Sequence, residues 1–390
     1  MTRPGRWMRD AATLVLLLCL GGACRRPPQP GDPVQGLSRA ERQRFDDGRV
    51  MFDSTFVPAT GLGPLFNADA CGECHEEPAT GGFGDEIELH ATAFRPTAPL
   101  TCDPLVDAGG PVFQQRVTDA LRAALAIDSE PVPPAATGRG LRSSPDVLGF
   151  GLLDAVPDSA ILALSDPTDA NGDGISGRPN FFFDGRLGRF GRKAFVPALR
   201  DFNAGAFVIE QSVTNPASPN EERPLGRPVP EGTDPVPDPE LNQEAIDLTD
   251  FFVRFLAPPA PARLQREARV GRDVFSRLGC ATCHVPSLRT GLAAAPPLRN
   301  LDVAAYTDLL VHDMGPDLAD ICLGLATPSE FRTEPLMGLR LMTRFMHDGR
   351  ATTVEQAIEL HGGEAAPSRD RFRGLPAAER AATLAFLKTL

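Results

Sequence analysis

Large aromatic side chains are scarce in this chain. Among 390 residues there is one tryptophan, Trp7, and one tyrosine, Tyr306, and aromatics together make up 6%. Hydrophobic residues still reach 42%, so cores can form, but little ring surface is available to fill them. A large flat cofactor would supply it. Membrane-length apolar runs are missing as well: the stretch Ala11–Leu20 is about half of the ~20 residues that a permanent span needs. Cations are in deficit, with 39 Lys and Arg against 51 Asp and Glu and a net charge of −12. Such a surface disfavours nucleic acid and favours a basic or dipolar partner. Histidines number six, which makes each one informative.

Arg3, Arg6 and Arg9 precede the apolar stretch, and Gly21, Gly22 and Ala23 follow it before Cys24. A positive segment, a short apolar core and small residues form the pattern of an export signal, residues 1–23. Cys24 is then the candidate for acylation and a lipid anchor, and the periplasm or cell envelope is the expected destination. Removal of the signal takes away three Arg and one Asp and leaves a charge of −14. Residues 24–38, rich in Pro and Gly, read as a flexible tether. Of eight cysteines, Cys19 lies in the signal and Cys24 at its end, and four more form two Cys-x-x-Cys pairs. Cys102 and Cys322 remain, and in an oxidising compartment a disulfide between them is the expected outcome.

The two Cys-x-x-Cys pairs are Cys71-Gly72-Glu73-Cys74-His75 and Cys280-Ala281-Thr282-Cys283-His284. Two thiols three apart can add to both vinyl groups of one haem, and the following His reaches the iron. More than 200 residues separate the copies, far beyond the spacing of a zinc ribbon. Each copy follows a similar helical pattern, Gly48 and Phe52 before the first and Gly271 and Phe275 before the second. In the second, Leu264, Ala268, Gly271, Phe275 and Leu278 form one apolar stripe at helical spacing. Each unit also closes on a similar helix, at 252–256 and 386–390, and Ala257-Pro258-Pro259 stops the first. The expectation is a mainly α protein with two covalently bound haem c groups. Its two cytochrome c-like domains would be residues 39–257 and 260–390, the first enlarged by long loop insertions.

Reactivity depends on the sixth iron ligand, because a filled position transfers electrons and an open one binds small substrates. Beyond His75 and His284 the candidates are His90, His312, His347 and His361. His361 is the best placed: Thr352 and Glu355 form an expected capping box, and Val354, Ala357, Ile358 and His361 share one helical face. Gly362 and Gly363 end that helix. Met314, Met342 and Met346 are alternatives. His90 follows His75 by fifteen residues and is the candidate for the first haem; without it that haem is five-coordinate.

The sequence resembles the bacterial di-haem oxidoreductases, often called thiol oxidoreductases, which are relatives of the di-haem cytochrome c peroxidases and of the di-haem enzyme that matures tryptophan tryptophylquinone. The resemblance covers nearly all of the mature chain. It rests on Gly63-Pro64-Leu65-Phe66-Asn67, on residues Gly149 to Pro157, on Asp169-Ala170-Asn171-Gly172-Asp173-Gly174-Ile175-Ser176-Gly177-Arg178 and on Tyr306 to Gly315. His347-Asp348-Gly349-Arg350 and His361-Gly362-Gly363-Glu364 complete it. In the peroxidases the residue fourteen after the His of the His-x-Gly turn caps the second haem, and counting from His347 gives His361. The resemblance implies that the capped second haem stores an electron while the first cleaves peroxide. A Trp relay between haems is usual there, and this chain departs from it, since Trp7 is lost with the signal. A thiol oxidoreductase is disfavoured because haem would consume the Cys-x-x-Cys sulfurs.

Three further features carry chemistry. Asp169, Asn171 and Asp173, followed by Gly174, match the first half of a calcium loop, though its twelfth position is Asn180 rather than Glu. Glu210 and Gln211 are candidates for the distal acid/base that peroxide cleavage needs, with Asp154 as another. Tyr306 is a candidate redox relay. The sequence therefore reads as an exported di-haem oxidoreductase, peroxidase-like, that takes electrons from a small redox protein and acts on peroxide or another small substrate. The alternative is a non-enzymatic carrier with both irons six-coordinate.

Overall fold

The computed structural model describes residues 27–390; the signal segment and Cys24 lie outside the described residues. The helices are α1 Arg39–Phe52, α2 Cys71–Cys74, α3 Asp119–Leu125, α4 Phe150–Asp154, α5 Asp158–Leu162, α6 Leu199–Gln211, α7 Gln243–Phe255, α8 Arg266–Arg277, α9 Val354–Glu359, α10 Ala366–Arg373 and α11 Ala377–Leu387. The strands are β1 Leu65–Phe66, β2 Ile87–Arg95, β3 Thr101–Asp103, β4 Val112–Phe113, β5 Arg116–Val117, β6 Gly138–Ser143, β7 Leu288–Arg289, β8 Asp302–Val303, β9 Val311–Asp313 and β10 Glu330–Arg332. The structure is 34% helical and 13% strand, a mixed fold rather than the mainly α one expected.

Two helix crossings repeat each other. Ser38 caps α1 by accepting from the Glu41 amide, while the Glu41 carboxylate accepts from the Ser38 amide, a reciprocal box. α1 then crosses α7 at Gly48, where a Cβ would lie 2.3 Å from the Leu248 carbonyl oxygen. α8 crosses α11 at Gly271, where a Cβ would lie 1.8 Å from the Ala382 carbonyl oxygen. Only glycine lets the backbones approach this closely. One turn on, Phe52 packs on Phe252 at 5.2 Å between ring centroids, and Phe275 packs on Phe386 at 5.5 Å.

The strands lie inside each helix pair in sequence, β1–β6 between α1 and α7 and β7–β10 between α8 and α11. β2 is flanked by β4 and β6 along one part and by β3 near its end, all antiparallel, with His90 opposite Gly140. Its residues Ile87 to Phe94 alternate imperfectly between apolar and polar, as a half-buried strand does. The disulfide Cys102–Cys322 fastens β3 to the segment after β9, with 5.8 Å between Cα atoms. The largest apolar core runs from Val34, Phe45 and Phe52 through Phe252 and Phe255 to Leu288, Leu298, Leu309 and Leu310, so it continues past Pro258 and Pro259. A smaller cluster of Ala268, Phe275, Phe386, Leu387 and Leu390 holds the α8–α11 crossing.

Candidate haem sites

The helix crossings aim the two motif histidines. His75 follows α2 and packs on Phe52, and His284 packs on Phe275, at 6.0 and 6.4 Å between centroids. In each ring Nδ1 meets a backbone oxygen at 3.0 Å, that of Gly82 for His75 and that of Tyr306 for His284. A carbonyl accepts only from N–H, so Nδ1 carries the proton and Nε2 is left with a lone pair, the state a metal-binding imidazole needs. Burial lowers the pKa of both rings, His284 to about 4, which keeps them neutral.

Opposite His284 stands His361. Their ring centroids are 6.5 Å apart, and the His361 Nδ1 donates to the Ala357 oxygen at 2.7 Å, so its Nε2 is bare as well. Metal–nitrogen bonds of about 2 Å place two imidazoles on one ion with centroids roughly 6 Å apart. The pair therefore fits one iron between them. Around them is a cavity of about 250 Å³ lined by Phe275, Leu339, Met342, Ile358 and Leu387 together with Cys280 and Cys283. A flat apolar cofactor attached through those sulfurs fits this lining. Val354, Ala357, Ile358 and His361 all line it. The cap of α9 sits one residue later than expected: Thr353 accepts from the Gln356 amide, and Thr352 pairs with the Gln356 side chain.

The first motif has different company. α6 ends beside it, and the Glu210 carboxylate accepts from the Asn67 amide at 2.8 Å while its backbone oxygen takes the Asn67 N–H. Burial, then the nearby Glu88, raises the Glu210 pKa well above the ordinary carboxyl value. His90 lies 3.1 Å from Glu88 through Nε2, and burial lowers its pKa. The charged groups that act on this motif are thus carboxyls, Glu88 and Glu86 on His75 and Glu210 on Cys71 and Cys74.

Gln211, expected beside the chemistry, has another task. With its amide oxygen turned inward it accepts from the Cys71 and Ala70 amides at 3.3 Å and is 1% exposed, so it fixes the start of α2. Asp154 binds Arg254 at 2.5 Å and the Leu199 amide at 2.9 Å, which ties α4 to α6 and α7. Tyr306 packs edge-on against Phe386 at 5.8 Å.

The proposed calcium loop bonds to itself. Asp169 accepts from the Gly174 amide, Asn171 from Asp173 and Asp173 from Ile175. Asn180 is fully buried, and its amide donates to the Lys193 and Leu323 carbonyls, so it does not belong to an ion site. Among the described residues the carboxylates that do converge are Glu221, Asp234, Asp238 and Glu240, with one oxygen from each within 4.8 Å of the others. Sequence reading missed this group, because its members lie up to nineteen residues apart in a Pro-rich loop with no ligand spacing.

His312 does not offer a free nitrogen to the cavity that it and His347 border. His312 sits between two carboxylates, with Nε2 2.8 Å from Asp308 and Nδ1 3.1 Å from Glu364. His347 stacks on Phe331 at 4.3 Å and turns Nε2 to Asp320 at 3.4 Å.

Two motif imidazoles, each next to a Cys-x-x-Cys pair, are the arrangement of a di-haem redox protein. The family described as "Di-haem oxidoreductase, putative peroxidase" matches residues 135–390, and the chain belongs to it. The matched span includes Cys280–His284 and begins after Cys71–His75. No curated protein matches. Among solved structures, the hydrazine synthase of Kuenenia stuttgartiensis is 14% identical over 100% of both chains, with a TM-score of 0.43. A MauG-like protein associated with microbial copper homeostasis is 16% identical over 93% of this chain and 92% of its own, with a TM-score of 0.41.

Proposed function

We propose that the protein is an exported c-type di-haem oxidoreductase, peroxidase-like, with unequal sites. The second is held by Cys280, Cys283, His284 and His361 and stores or relays electrons. The first is held by Cys71, Cys74 and His75 and is where a small substrate such as peroxide reacts. The observation that carries this reading is the asymmetry of the two imidazoles: His284 faces His361 across 6.5 Å, while the groups acting on His75 are the carboxyls of Glu88 and Glu86, with Glu210 acting on Cys71 and Cys74. When bound, haem supplies one-electron iron chemistry. The chain's own part at the first site is to exclude water and to hold a proton on Glu210. A carboxyl of raised pKa keeps its proton to higher pH than an ordinary one and can deliver it to a leaving oxygen. Asn67 fixes the orientation of Glu210 through the 2.8 Å hydrogen bond.

The acidic surface suits a small basic redox protein as electron donor. The Cys102–Cys322 bridge suits an oxidising compartment such as the periplasm, with Cys24 as the lipid attachment point. EPR and optical spectra of the oxidised and half-reduced holoprotein test the assignment. One haem should give a high-spin signal that responds to cyanide and peroxide, and the other should stay low-spin. His361→Ala should convert only the low-spin haem. Two low-spin haems that ignore both ligands in every redox state would make the protein an electron carrier instead.

A further inference from the structure

We propose that His312 is a fixed cation built into the second haem site, a positioning residue that raises that haem's reduction potential and anchors the Asp/Gly-rich loop beside it. The inference rests on haem attachment at Cys280 and Cys283. His312 is 4% exposed, and each ring nitrogen faces a carboxylate: Nε2 faces Asp308 at 2.8 Å and Nδ1 faces Glu364 at 3.1 Å. Carboxylates only accept, so both nitrogens must carry hydrogen, and an imidazole with two N–H groups is positively charged. Such a ring has no lone pair for iron, which removes His312 from the candidate ligands.

Its position gives the charge a use. Nδ1 is also 3.7 Å from the Cys283 Sγ, the atom that joins the second haem to the chain. The cation therefore sits at the edge of the cofactor, with no water between. Adding an electron lowers the charge of the haem by one, and a buried positive charge a few ångströms away favours that state. Asp308 and Glu364 hold the ring still and keep it protonated, and their own charges act in the opposite direction.

The same clamp reaches the loop. Glu364 accepts from the Ser176 hydroxyl at 2.5 Å and from the Ser176 amide at 3.1 Å. Gly177 follows at φ +47°, and a Cβ there would lie 3.2 Å from the His312 Cε1. The end of the loop thus packs closely against the imidazole ring. The loop that resembles half a calcium site uses its last residues as a cover for this charge.

Spectroelectrochemical titration of the holoprotein tests the idea through two variants with opposite signs. In His312→Gln the second haem should be harder to reduce, with its reduced-to-oxidised ratio at a fixed potential falling about tenfold or more; the first haem should not move. In Glu364→Gln, whose amide oxygen can still accept from Nδ1 and Ser176, the same haem should be easier to reduce. Simple loosening of the pocket would wet the haem in both variants and move both the same way. Equal signs, or no shift at the second haem, overturn the proposal. If His312→Gln does not accumulate, Glu364→Gln decides alone: an upward shift supports the proposal and any other result ends it. A haem count below two in the wild type refutes the attachment reading itself, which is a separate result.

Discussion

Gly271 lies under Phe386 as Gly48 lies under Phe252: in both cases a Cβ on the glycine would stand 2.9 Å from the Cβ of the phenylalanine. The two crossings are the same device used twice, and each one places the phenylalanine that backs a motif histidine. Stability and cofactor geometry therefore share one contact.

Gly271→Ala should show both losses together. The added methyl meets backbone, which cannot move aside as a side chain can, and overpacking of this kind costs about 1–3 kcal/mol or more. A lower denaturation midpoint should be accompanied by disturbance of the second haem's spectrum and not the first's. Normal stability with normal spectra would show that the α8–α11 contact is looser than described.

Glu210→Gln tests the acid at the first site. The amide keeps the shape and can still meet Asn67, but it holds no transferable proton. Peroxide turnover should fall roughly 10²–10⁴-fold with both haem spectra retained. Wild-type turnover would remove Glu210 from the chemistry and leave it as a carboxyl that supports Asn67.

The converging carboxylates predict a pH dependence. Burial, reinforced by Asp234, Asp238 and Glu240, pushes Glu221 up to about 9 from 4.5, and neither of its carboxylate oxygens has a partner. The folded protein thus binds a proton that the unfolded chain releases near pH 4.5. The folded state's advantage is complete below that value and declines as pH rises toward 9. In chelator, Glu221→Gln should match the wild type near pH 4 and melt several degrees higher near pH 8.5. Melting curves that stay parallel across that range would show that the carboxyl is not held protonated by the fold.

Replacing Cys102 and Cys322 together by Ser should lower stability by about 2–5 kcal/mol, measured by denaturant unfolding of the holoprotein. Reductant should lower the wild type toward the variant and leave the variant unchanged. If reductant shifts both equally, the loss does not come from this bridge.

What the sequence disclosed and what it hid divide by distance along the chain. Gly48 and Phe52 stand four apart within a helix, as do Gly271 and Phe275, and Val354, Ala357, Ile358 and His361 recur at helical spacing and line one cavity, so their joint placement was legible. The sheet was not foreseen, because β6 reads Gly-Arg-Gly-Leu-Arg-Ser and is paired only through the partner strand it meets. The alternation from Ile87 to Phe94 is the one local signal of the sheet, and it is imperfect. His312 gave no hint of its clamp, since Glu364 arrives from 52 residues away. Gln211 sits next to Glu210 in sequence, yet a helix turns adjacent residues about 100° apart. One therefore meets the Asn67 side chain while the other holds the backbone at the start of α2.

The bridge between Cys102 and Cys322 spans 220 residues, so it cannot close until nearly the whole chain has emerged. Cys71 and Cys74 emerge far earlier and are near enough in sequence to oxidise with each other. If both motifs carry thioether-linked haem, maturation must keep two neighbouring pairs reduced while it oxidises a distant third. Delivery of the protein is then a problem of thiol sorting, and its yield should depend as much on the order of those reactions as on the stability of the finished fold.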